Sequence, residues 1–259
     1  MKSVFKYLLV LSVLILTGAA AALTAGIAEA ARSHVGCKHV LIENESPEGA
    51  RFLQDAQVLG ELRQHFGELY GVPLKQMNLH AMESHLDEKD AVLKSEVYAS
   101  YPDSSLHVLI RERVPVLRLQ PAGGQGFYCD RKCSLFPLQK SYSAKVPVVD
   151  GTLLVDHCKK TEDLSEKEKC WLEAMLTLAD FLHSERKWED RCSQIHITRG
   201  GAVTLIFEPW EEVFIIGDCR DLEEKFKKIE QYICTVRPRA DGKKYKSVNV
   251  RFEGQIICK

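Results

Sequence analysis

Residues 106–119 read LHVLIRERVPVLRL, and the organisation of the whole chain turns on them. Leu106, Val108 and Ile110 fall on one side at period two, the pattern of a strand with one buried face. Pro115 has no backbone N–H to give to a ladder, so the strand ends or reaches a sheet edge there. Arg111, Glu112 and Arg113 stand between two apolar runs. Three charges in a strand mean exposure on one side or a junction between two modules.

Upstream of this stretch, HVLIEN (39–44) reads as a short strand. QDAQVLGELRQHFG (54–67) places Val58, Leu59, Leu62 and Phe66 on one helical stripe, with Asp55 as its expected cap. NLHAMESHL (78–86) gives a second helix capped by Asn78, with Leu79, Met82 and Leu86 inward. AVLKSEVYA (91–99) is a strand, and YPDSS (101–105) is a turn built on Pro and Asp. The order β-α-α-β-β defines a compact α+β module, assigned to residues 32–119.

Downstream, PAGGQG breaks the pattern, and FYCDRKCSLFPL (127–138) reads as a hairpin. KVPVVDG is a further strand. LSEKEKCWLEAMLTLADFLHSE (164–185) is a helix with a Ser165–Glu168 capping box and Trp171, Met175, Leu178 and Leu182 on its stripe. A hairpin turns at Gly200-Gly201, EVFIIG follows, and DLEEKFKKIEQYICTV (221–236) is a helix capped by Asp221. SVNVRFEGQIICK (247–259) opens as a strand, with Val248, Val250 and Phe252 alternating with Ser247, Asn249 and Arg251. Its buried side is expected to carry those three apolar residues, and its outer backbone edge to remain open. The second unit, residues 120–259, is thus a sheet with packed helices.

The chain has 259 residues and a net charge of −1, so no basic field for nucleic acid exists. Tyr7–Ala31 is apolar apart from Glu29, and Lys2 and Lys6 precede it. Its length exceeds the roughly 7–15 residues of a signal-peptide core and favours an uncleaved anchor. AEAA keeps a cleaved signal as the alternative. The positive-inside rule then leaves residues 1–6 in the cytoplasm and exports the bulk as a single-pass protein. The nine cysteines are an odd number, and their spacing does not fix any pairing.

Chemical motifs are scarce. His80 and His85 are five apart, the wrong spacing for one helical metal face. His157-Cys158 are neighbours in sequence, where catalytic partners seldom lie. Cys129 and Cys133 in CDRKC form a C-x3-C, one residue longer than the redox motif. They read as two small hairpin side chains, or as a local disulfide or thiol site. An exported thiol or metal-binding protein using this pair is therefore an alternative, marked by an accessible low-pKa thiol. A hydrolase is another, marked by a deep polar pocket.

In combination these features resemble the bacterial cell-division FtsQ/DivIB family. A short tail and one anchor precede a β-α-α-β-β module. The acidic-arginine-proline signature falls on Glu112, Arg113 and Pro115, and an Asp-x-x-Gly-x-x-Pro hairpin on Asp130–Pro137. KYKSVNVRFEGQIICK, with Gly254, Gln255 and Cys258, looks like the Bacteroidota branch. Two positions depart from the pattern: Cys133 replaces the hairpin glycine, and Ser247 replaces an aromatic on the last strand, with Tyr245 two positions earlier. The resemblance implies a POTRA domain and a β domain in a non-enzymatic divisome scaffold of the inner membrane, without cofactor or metal. It also implies FtsB- and FtsL-like partners added as a strand along Tyr245, Ser247, Asn249, Arg251, Gly254, Gln255 and Ile257, with the POTRA module and anchor serving other septal membrane proteins.

Overall fold

The structure, a computed structural model, describes residues 15–20, 23, 34–46, 51–139, 142–188, 191–239 and 245–259. Most of the 7–31 segment expected as an anchor, and the 1–6 tail, lie outside them. Among the described residues no helix is long and apolar enough to cross a membrane. The protein is mixed α+β and divides into two compact units. The first holds residues up to Glu45 and Leu53–Arg111; the second holds Ser46–Phe52 and Glu112–Lys259.

The first unit runs β1 (His39–Asn44), α1 (Asp55–Phe66), α2 (Leu79–Asp87), β2 (Val92–Ser100) and β3 (Ser105–Glu112). β3 lies between β1 and β2, with β1 parallel to it at the register Ile42–Val108. A parallel pair needs a crossover, and α1 and α2 supply the chain for it. Leu106, Val108 and Ile110 are buried with Val58, Leu62, Met82 and Leu86, as the two periodicities require. Burying such side chains stabilises the unit by about 1.5–3 kcal/mol each. Asn78 caps α2 by accepting the Ala81 N–H at 3.1 Å. Asp55 is not a cap: α1 starts on it, and Gln54 is the capping residue without a side-chain bond.

The second unit begins at the junction stretch. Its strands are β4 (Pro115–Pro121), β5 (Phe127–Asp130), β6 (Leu135–Pro137) and β7 (Val148–Gly151). After α3 (Glu166–Ser184) come β8 (Cys192–Ile197), β9 (Val203–Phe207) and β10 (Val213–Gly217). α4 (Leu222–Gln231), β11 (Ser247–Asn249) and β12 (Ile257–Cys258) complete it. All nine strands form one sheet in the order β12-β11-β10-β9-β8-β7-β4-β5-β6. LHVLIRERVPVLRL is therefore two strands in two sheets. β3 stops at Glu112, and β4 starts on Pro115, which lies inside the span 32–119 assigned to the first module.

α3 crosses between the parallel strands β7 and β8, and α4 between β10 and β11. One row of residues runs across the sheet beneath them: Leu119, Val149, Ile195, Leu205, Phe214 and Val248. All six are fully buried in one core with Leu172, Met175, Phe226 and Ile229 of the helices. The adjacent row, on the other face, holds Asp150, His196, Thr204, Ile215 and Asn249. The Ser165–Glu168 capping box forms as read from the sequence. Asp221 stands at the start of α4, but in a left-handed conformation and without a side-chain bond. α4 also ends at Gln231, where the backbone passes into a π turn over Tyr232–Val236.

Candidate docking edge

The acidic-arginine-proline signature opens the Glu112–Lys259 part of the second unit. The Glu112 carboxylate is buried and accepts the Phe52 N–H at 2.7 Å, while the Glu112 N–H donates to Ser46 Oγ. Phe52 packs edge-on against Tyr128, Phe136 and Tyr142. Arg113 donates to Asp130 at 2.9 Å. Asp130 in turn accepts the Lys132 and Ser134 N–H groups, which ties the tight turn of the β5–β6 hairpin. These charges are structural, and each is paired where it is buried.

Cys133 occupies that turn with φ 59. The conformation is the left-handed one that favours glycine, so the departure from the family pattern is a local strain. Cys129 and Cys133 are both free thiols, so no local disulfide closes the hairpin. Cys129 points into the core, and burial pushes its thiol far up. Burial, then the charges of Glu173 and Asp130, also raise Cys133. Neither thiol is poised as a thiolate. Among the described residues no three His, Cys, Asp or Glu side chains gather as a metal site. A groove lined by Thr177, Asp180, Phe181, Cys219 and Lys227 is open, and burial lifts the Cys219 thiol to about 11.

The residues expected to bind a partner meet at one corner of the large sheet. On its inner side β11 lies parallel to β10: the Val213 N–H donates to Lys246 O, and the Val250 N–H to Ile215 O, each at 3.0 Å. Val248 and Val250 are fully buried. Ser247 and Asn249 turn to the other face, half-buried, as period two requires.

Three expectations fail here. Phe252 is 43% exposed rather than a core anchor, because the strand ends at Asn249 and the chain bends through residues 252–254. Its ring instead carries the Arg251 guanidinium at 4.6 Å. Tyr245 does not join Ser247 on the outer face; it packs onto the core 6.4 Å from the Tyr232 ring. The third failure concerns the edge itself. After the bend, in which Gly254 takes φ +63, β12 runs back antiparallel to β11, with Val248 opposite Cys258 and Asn249 opposite Ile257. The outer edge of β11 is thus already paired. Ser247 and Lys259 exchange both backbone bonds at 3.0 Å, and the Lys246 N–H donates to Lys259 O at 2.6 Å. Gln255 is exposed, and Ile257 is 37% exposed on the edge strand.

Sequence reading missed the groups that hold this corner. Lys228 reads as part of a solvated charge run, yet it is buried. Its ammonium donates to Phe252 O at 2.8 Å and Val250 O at 3.3 Å, and pairs with Glu224. Glu212 is buried too, accepting from the Tyr232 hydroxyl and Arg237. Burial, and then Glu212, push the Tyr232 phenol well above its usual range. Helical spacing does carry a signal for Lys228, which falls one turn from Glu224 and close to the apolar stripe.

The second unit is a single sheet covered on one face by crossover helices, with a short strand pair forming one edge. Its buried polar groups Glu112, Asp130 and Glu212 are hydrogen-bonded within the fold, and its class is an α+β sheet module. The model of the family described as FtsQ/DivIB, C-terminal related, matches residues 114–259, more than half of the chain. The chain belongs to this family, and with it to the bacterial cell-division proteins of the septum. A search among curated proteins gives no match.

Proposed function

We propose that the protein is a non-enzymatic scaffold of the divisome. It is held in the inner membrane by residues 7–31 and docks FtsB- and FtsL-like division proteins by strand addition at the β11–β12 corner. The observation that carries this reading is the edge. β11 is fixed to the core by Val248 and the adjoining Val250, its outward backbone groups are bonded to the short segment Ile257–Lys259, and β12 in that segment is the last strand of the sheet. An edge of this kind offers main-chain bonds to an extended partner, and alternate side chains set specificity. Ser247, Asn249 and Ile257 are the side chains on that surface; Arg251, Gly254 and Gln255 belong to the bend beside it. The β-α-α-β-β unit, residues 39–112, is read as a POTRA domain that recruits other septal membrane proteins. No cofactor or metal enters this function.

The test is photocrosslinking in dividing cells from a reactive side chain placed at Ser247 or Ile257. Adducts with FtsB- or FtsL-like proteins are expected from both positions, and none from Arg199 in the distant β8–β9 turn. A crosslink pattern indifferent to position, or free of division proteins, refutes the reading.

A further inference from the structure

We propose that the uncovered face of the large sheet, from β4 to β10, is a second docking surface, and that its occupant is an acidic amphipathic helix of another protein. The inference goes beyond the docking corner and does not depend on it. On this face the row through Asp150 and His196 has a second row beside it: Arg118, Val148, Gln194, Ile206 and Val213. Both crossover helices lie on the opposite face, over the apolar core. At the β5–β6 end the second row is covered within the unit, since Tyr128 and Phe136 continue it beyond Arg118 and are buried against Phe52. From Arg118 onward that cover ends, and all five residues of the second row are only half-buried. Sheets of parallel strands carry cover on both faces. Three adjacent pairs here, β4–β7, β7–β8 and β10–β11, are parallel.

The charges on these rows choose the sign of the partner. Asp150 is already engaged: Gln194 Nε2 donates to one of its oxygens at 2.6 Å, and His196 Nδ1 to the other at 2.8 Å. That bond fixes the ring and leaves Nε2, on a side chain 45% exposed, to meet a partner's donor. Arg118 is different. Its Nη2 donates to Gln120 Oε1 at 3.1 Å, its Nε has no acceptor, and among the described residues no carboxylate pairs with it. A half-buried guanidinium without an anion is a costly arrangement that an incoming carboxylate relieves. A second copy cannot supply one from this face, because Asp150 is the one carboxylate of the two rows and is taken. Nor can a strand add here, since every strand from β4 to β10 is paired on both sides. The occupant must bring a satisfied backbone, which a helix does. Val148, Ile206, Val213 and Ile215 offer it a β-branched surface. Its stripe is therefore aliphatic at three- and four-residue spacing, with a carboxylate over Arg118.

The experiment places a photoreactive side chain at Ile206 of the full-length protein in dividing cells, with a control at the exposed Glu223 on α4. Mass spectrometry maps each adduct to a peptide. The expected product joins Ile206 to a segment of another protein whose apolar residues fall three and four apart, with a carboxylate beside them. Arg118→Glu is expected to lower its yield about tenfold. Reversing that carboxylate to arginine in the captured protein should restore the yield. Thermal unfolding checks the fold, and if Arg118→Glu does not fold, Arg118→Gln makes the same comparison. Adducts from Ile257, which report the docking corner, should be unchanged by Arg118→Glu. Adducts from Ile206 in a protein that gives none from Ile257 would support the face and refute the corner. A yield indifferent to Arg118, the same adduct from the control position, or no adduct from Ile206 overturns the inference. So does an adduct with a second copy, with the first unit of this chain, or with lipid.

Discussion

At position 133 a β-carbon sits where the backbone has φ 59. A left-handed conformation costs a non-glycine residue about 1–2 kcal/mol, while glycine costs roughly 0.5–1 kcal/mol in chain entropy. Cys133→Gly should therefore be neutral or stabilising by up to about 1 kcal/mol, read from the urea midpoint, with partner binding unchanged. Loss of division activity in a folded, partner-binding variant would instead assign the thiol a chemical role. Glu168 makes a second prediction. Lys159 foremost, then the Ser165 hydroxyl and N–H, hold its carboxyl down at about 2 from an ordinary 4.5. The folded value lies below the unfolded one, so the capping box contributes fully above pH 4.5, and its contribution is lost as pH falls toward 2. Thermal midpoints measured across that window should fall more steeply for wild type than for Glu168→Gln. Parallel curves would remove Glu168 from the acid response.

At the scale of the element, β11 has two different sides along one backbone. The Val250 N–H points inward to Ile215 O, while Asn249, one residue away, lies on the outward side. Arg251 shares the outward side by alternation, and its N–H is taken by the Asn249 side chain at 3.0 Å. The contrast that matters is therefore Asn249 against Val250, not Asn249 against Arg251. Val250→Pro should lower the thermal midpoint by losing a ladder bond and core packing. Asn249→Pro should keep the fold and lose the partner. Equal melting of the two variants would show that the strand is not fixed as described. The strand pattern itself was readable from sequence, because Val248 and Val250 alternate cleanly and one face is buried. Phe252 misled because period two says nothing about where a strand stops, and Gly254 is the signal that a bend intervenes. The return of IIC onto β11 was hidden because two residues carry no periodicity. Lys228 was hidden because a charge run on an amphipathic helix reads as solvated, although a lysine stem reaches buried carbonyls when its spacing permits.

For the whole molecule, the junction stretch ends one sheet at Glu112 and starts the other at Pro115. The break at RERVP was visible as charge and proline. That Glu112 and Arg113 turn inward to fasten Phe52 and the Asp130 hairpin was not, since sequence alone cannot pair residues so far apart. An edge of a few backbone bonds yields modest affinity in solution. Tethering both partners to one membrane turns their meeting into an encounter at high effective concentration, which supplies the avidity such an edge lacks. Residues 7–31 are thus expected to remain in the mature protein and to be required at the septum. Replacing residues 1–31 with a cleavable export signal should leave the affinity of the purified protein for an FtsB-like peptide unchanged and abolish septal enrichment seen by fluorescence. A mature wild-type chain beginning near Arg32 would show that the tether is dispensable, and the edge would then need a stronger contact than strand addition provides.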